Sequence, residues 1–314
     1  MRNCGLFHRV IGESGGAFQP MWYRSRATSY APSGEFIGEN FVTAVAGESG
    51  DTSLAALRQI PQERVLEAFE SDPAFSNYDS LAIVDGVVIP EDVATIFAQG
   101  NQADVPVMIG SNANEATTFL AFFEPIYGKG IEGLNTYIKA TLPENAESAF
   151  EAYPASDDAE ATESFINASG DVLFAGPMRA WARSMENVTS DAYLYWFTFV
   201  PLVENSEQYR AFHAGELGYV FGNLDLFGAI PTDADYEFSD LMASIWTQFA
   251  KTGNPNGEGL PQWPAYSSDT EAYMELGVNT GSRAELRIRQ MDVIEIAWAT
   301  RRSNAAVDSE DGQP

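Results

Sequence analysis

The chain has 314 residues, with 17 lysines and arginines against 45 aspartates and glutamates, a formal charge of −28. Hydrophobic residues make up 45% and charged residues 20%, the balance of a folded globular protein and not of a disordered one. The negative charge argues against nucleic acid and anionic membrane partners; the single cysteine, Cys4, excludes an intrachain disulfide and a multi-cysteine zinc site; and no apolar run reaches the length of a membrane span.

Residues 6–13, LFHRVIGE, read as a short apolar strand. Helical spacing of apolar residues follows in 53–60 and 63–70. VPVMIGSN, 105–112, is a β-branched run closed by polar turn residues, a buried strand, and AYLYWFTFV, 192–200, is an aromatic strand. An amphipathic helix spans 239–253, with Ser239 or Asp240 as its cap and Gly253 as its stop. Residues 254–264 are turn and loop, 283–300 form another helix, and the acidic stretch from Ser303 frays. Strands separated by helices predict an α/β class with a largely parallel sheet. No linker is evident, so one domain is expected over 1–302, with an acidic disordered tail over 303–314. MRNCGLFHRV at the start lacks the pattern of a signal peptide, and the compartment stays undetermined.

Gly12-Glu13-Ser14-Gly15-Gly16 approximates G-x-S-x-G, the strained turn that exposes a nucleophilic serine between strand and helix. Three points count against Ser14 as that nucleophile. An oxyanion loop lies upstream of such a turn, and no Gly-rich loop precedes Ser14 here. The strand carrying the turn ordinarily lies between strands earlier in the chain. A helix must follow, yet Pro20 comes six residues later, and proline inside a helix costs about 3 kcal/mol.

The wider pattern resembles the type B carboxylesterase family, which includes the cholinesterases and bacterial para-nitrobenzyl esterases. The resemblance runs through GLFHRVIGESGG (5–16), Val84-Asp85-Gly86 with Pro90, DVPVMIGSNANEATTF (104–119), FHAGELGYVFG (212–222) and WTQFAKTGNPNGEGLPQWPAY (246–266), in the family's order. It implies an α/β-hydrolase fold, here its C-terminal part, and a serine esterase with no cofactor or metal, acting on a small-molecule carboxylic ester. It also implies that Ser14 is a supporting residue behind the triad, that the oxyanion loop and the elbow with its nucleophile are lacking, and that the N-terminal half of the domain is a missing partner. Glu115 then matches the triad acid and His213 the triad base.

Read by themselves, Glu115 is more readily a solvated loop acid or helix cap than a triad acid, and His213 a lone core or surface histidine; His8 is the other histidine in the chain. Glu216 is a candidate support for the His213 loop. Phe119 is a weak pocket candidate, as are Tyr78 and Phe75. Asn167-Ala168-Ser169 and Asn187-Val188-Thr189 match the N-glycosylation pattern but read as ordinary surface residues, and no calcium loop is present. Two other readings stay open: an active esterase that attacks through Ser14, and a non-catalytic, cholinesterase-like interaction module. A chain lacking the neighbours of its first strand is expected to be poorly stable alone.

Overall fold

The computed structural model describes residues 5–47, 50–71 and 82–311. It divides into two compact units: Met1–Gln19 with Ile96–Thr300, and Pro20–Thr95 with Arg301–Pro314. The second is built from segments distant in sequence, which is why no linker marks it. Tyr78 and Phe75 lie outside the described residues, as does Cys4.

The first unit holds a five-stranded sheet in the order β1 (Val10–Glu13), β2 (Val107–Asn112), β3 (Ala192–Phe197), β4 (Ala272–Leu276) and β5 (Gly281–Ala284). β1 to β4 are parallel, and β5 turns back antiparallel on β4. β1 is therefore an edge strand of this sheet. Parallel neighbours require crossover connections, and helices occupy those between β2 and β3 and between β3 and β4.

The alternation of side chains along the strands assigns each face a layer. Val107, Ile109, Ala192 and Leu194 point to one face, against Met178, Ala182 and Met185 at the helix Gly176–Ser184. Met108, Tyr193, Tyr195 and Phe197 point to the other, against Phe238, Met242, Ile245, Trp246 and Phe249 of the helix Asp233–Thr252. Gly110 is demanded by close packing, since a Cβ there would lie 2.4 Å from the Tyr195 carbonyl oxygen.

The Asp233–Thr252 helix begins earlier than the expected cap at Ser239 or Asp240. Thr232 and Asp235 form a reciprocal capping box, and the helix ends at Gly253, which adopts φ 80° as a left-handed stop. β4 and β5 were not expected: the helix predicted over 283–300 is the helix Ile288–Asp311, preceded by β5. That helix runs past residue 302 as far as Asp311, and Ala305 is buried.

In the second unit, Asp85 accepts hydrogen bonds from the backbone N–H groups of Val87, Val88 and Ile89. These bonds hold its carboxyl below the usual range and order the turn that Gly86 makes at φ 77°. Buried Asp92 pairs with Arg302 at 2.9 Å and also accepts the Met21 N–H. Among the described residues no helix is long and apolar enough to cross a membrane.

Arg179 fastens the first unit at depth. Only 3% of its side chain is exposed, and it binds Glu271 through Nε and Nη2 and Asp292 and Glu295 through Nη1. Glu271 is further held by Arg183 and by the Tyr266 hydroxyl. Removing one partner of a buried ion network strands the others. Arg179→Met is therefore expected to lower stability by about 3 kcal/mol, read as an earlier midpoint in urea unfolding with an unchanged slope.

Candidate active site

The C-terminal ends of β1, β2 and β3 lie side by side, and the chain leaves each of them toward the same end of the sheet. Crevices at that end are where open α/β sheets bind ligands. β1 delivers Glu13 and Ser14, β2 delivers Asn112 and the turn Glu115–Thr118, and the segment after β3 delivers His213 and Glu216. Backbone bonds fasten the last two segments together: the Asn114 N–H donates to the Ala211 carbonyl at 2.9 Å, and the buried Thr117 hydroxyl donates to the Tyr209 carbonyl at 2.8 Å.

Glu115 is the hub. It is 1% exposed, and both carboxylate oxygens are engaged. Oε1 accepts from the Ser14 hydroxyl at 2.5 Å and from the Asn112 N–H at 2.6 Å. Oε2 lies 2.6 Å from Nδ1 of His213. A buried carboxylate is tolerable only when so satisfied. The hydrogen bond to Glu115 raises the His213 pKa above its ordinary value; burial opposes this, and the charges of Glu115 and Glu216 add to it. The imidazole keeps 33% of its side chain exposed, and no described residue hydrogen-bonds its Nε2.

Glu216 lies behind this pair. It is 1% exposed, and Asn112 Nδ2 donates both to its Oε2 and to the Phe212 carbonyl. Burial pushes its pKa up to about 7, the Asn112 bond works against this, and the Glu115 charge adds to the rise. Glu13, held by Trp246 Nε1 at 2.5 Å, is likewise raised by burial. Tyr195 is buried among the same glutamates, and burial first, then their charges, push its hydroxyl pKa well up.

Ser14 does sit on a strained turn, at φ 54°. Its hydroxyl is spent on the carboxylate, however, and no helix follows; the next one begins at Gly34. Phe119 lies beside His213, ring centroids 5.2 Å apart. Two residues of the cluster escaped sequence reading. Asn112 looked like a turn residue but ends a fully buried strand. Phe174, on a π-helical turn, lies tilted beside His213 with ring centroids 4.7 Å apart.

The geometry generates a titration prediction. A folded-state pKa above the unfolded value near 6.5 means that the His213 contribution to stability is complete below about pH 6.5 and fades as pH rises through the folded value. Glu216, also raised, favours the folded state at low pH and loses that contribution as pH climbs toward 7. Glu115→Gln is expected to lower the His213 pKa in an NMR titration. Glu216→Gln is expected to flatten the decline of stability between pH 5 and 8, measured by urea unfolding at each pH.

Comparison with known proteins places the chain in a family. Residues 1–294 match the sequence pattern described as the Carboxylesterase family. Liver carboxylesterase 1 of Mus musculus is 27% identical, over 91% of this chain and 54% of its own length. Carboxylesterase 5A of Felis catus is 28% identical, over 92% and 54%, and liver carboxylesterase of Sus scrofa 29%, over 90% and 53%. The chain thus spans about half the length of the curated relatives it matches. A solved structure titled PNB esterase superposes with a TM-score of 0.72 at 27% identity, covering 93% of this chain and 58% of that one. A thermophilic PNB esterase gives the same values. The fold is that of the α/β-hydrolases, and the chain belongs to the carboxylesterase family.

Proposed function

We propose that this chain supplies the acid–base half of a serine carboxylesterase: His213 is the general base, Glu115 its orienting acid, and the attacking serine is a residue other than Ser14. The observation that carries this reading is the 2.6 Å hydrogen bond between Glu115 and His213 Nδ1. It fixes the tautomer with Nε2 as the proton acceptor. In the reaction a serine hydroxyl attacks the ester carbonyl as Nε2 takes its proton, and Glu115 stabilises the imidazolium that forms. Nε2 returns the proton to the departing alcohol. Water then attacks the acyl-enzyme with His213 again as base, releasing the carboxylic acid and the serine. The substrate is a small carboxylic ester, with Phe119 and Phe174 as apolar walls beside the base.

Ser14 fits a supporting role because its hydroxyl binds the far side of the carboxylate and not Nε2. The left-handed φ of 54° at the strand end favours a second reading, attack through Ser14, which requires the hydroxyl to leave Glu115 and cross to Nε2. A non-catalytic interaction module would have no use for the joined acid and base.

The purified 314-residue chain is expected to turn over a short-chain para-nitrophenyl ester no faster than a His213→Ala variant, and to take no fluorophosphonate label at Ser14. Robust turnover abolished by His213→Ala, with label on Ser14, would replace this reading by the second one.

A further inference from the structure

The helices Asp158–Gly170 and Gly176–Ser184 are joined by a π-helical turn, Asp171–Ala175. Such turns are rare and concentrate at functional sites. The sequence dictates this one. Pro177 has no N–H to give to the carbonyl four residues back, and its ring crowds that carbonyl. The turn closes instead through the Gly176 N–H onto the Asp171 carbonyl, five residues back. A Cβ on Gly176 would lie 2.9 Å from that carbonyl oxygen, so glycine is required there.

Asp171, 2% exposed, anchors the turn. Its Oδ2 accepts from Arg287 Nη2 at 2.7 Å and Nε at 3.0 Å, and from the Tyr153 hydroxyl at 2.8 Å. The widened turn then presents Phe174 to the imidazole. The Phe174 ring lies 4.7 Å from the His213 ring at 30°, and Phe119 lies 5.2 Å away at 50°; the two phenylalanines stack at 6.1 Å. The charged groups acting on His213 are Glu115, on the turn after β2, and Glu216, on its own loop.

We propose that Phe174 is a positioning residue for His213 and that the buried Asp171–Arg287 pair, acting through the π-turn, keeps it there. Glu115 restrains one nitrogen of the imidazole, and a single hydrogen bond leaves the ring free to swing about that contact. The aromatic faces remove this freedom, and their π density favours the imidazolium over the neutral ring. The inference rests on His213 as the base, but its test needs no turnover.

The test is an NMR titration of the two histidines, with exposed His8 as a second signal in the same spectrum. Phe174→Leu keeps apolar bulk and removes the ring; it is expected to lower the His213 pKa by about half a pH unit. Phe174→Tyr restores the ring and is expected to restore the value. The double variant Asp171→Asn with Arg287→Met leaves the pair without net charge, so a downward shift there reports displacement of Phe174 and not a changed field. A cooperative unfolding transition for each variant establishes that it folds. Folded Phe174→Leu with an unmoved His213 titration overturns the proposal. Folded double variant with an unmoved titration overturns the role of the ion pair. Robust esterase turnover with label on Ser14, with these shifts intact, sinks only the functional reading.

Discussion

One buried carboxylate organises this end of the molecule. Glu115 is buried, so its oxygens must find their donors within the chain. A hydroxyl from the end of β1, an amide from the end of β2 and an imidazole from beyond β3 converge on its two oxygens. Three segments that share no local sequence are held in register by the need to satisfy one ion. The arrangement also separates roles: the donors on Oε1 fix the carboxylate, while the acceptor face of Oε2 is left to govern the histidine. Asn112 serves both layers, its N–H to Glu115 and its side chain to Glu216.

Glu216 and Glu13, beside the hub, are both raised by burial. At the imidazole the hydrogen bond to Glu115 is the first cause of the raised pKa, and the charges of Glu115 and Glu216 add to it. The same logic recurs beneath the sheet, where Arg179 gathers Glu271, Asp292 and Glu295. Arg287 and Arg302 likewise each meet a buried carboxylate, Asp171 and Asp92.

Much of the site was legible because it lies where apolar runs end. The strands 105–112 and 192–200 announce themselves by β-branched and aromatic content, and Glu115 and His213 follow them within motifs that resemble a family. Phe119 was within reach for the same reason. β4 and β5 were not, because AYMEL and GSRA are short and mixed in polarity. Their strand character comes from pairing with neighbours distant in sequence. Phe174 was hidden because its direction depends on a helix turn that departs from ordinary periodicity; the Gly176-Pro177 pair is the local signal for it. The early start of the Asp233–Thr252 helix is written in Thr232 and Asp235, whose capping box precedes the regular apolar spacing.

The second compact unit, Pro20–Thr95 with Arg301–Pro314, takes most of its length from the stretch between β1 and β2. Neighbouring strands of the sheet are thus joined by a long excursion, and the Ser14–Glu115 bond spans 101 residues and the Glu115–His213 bond 98. These two bonds of the hub close large loops, and loop closure must precede the reward from pairing. The charged centre consequently belongs to the late events of chain assembly: local helices form within microseconds, while the hub waits for the slow meeting of remote strands.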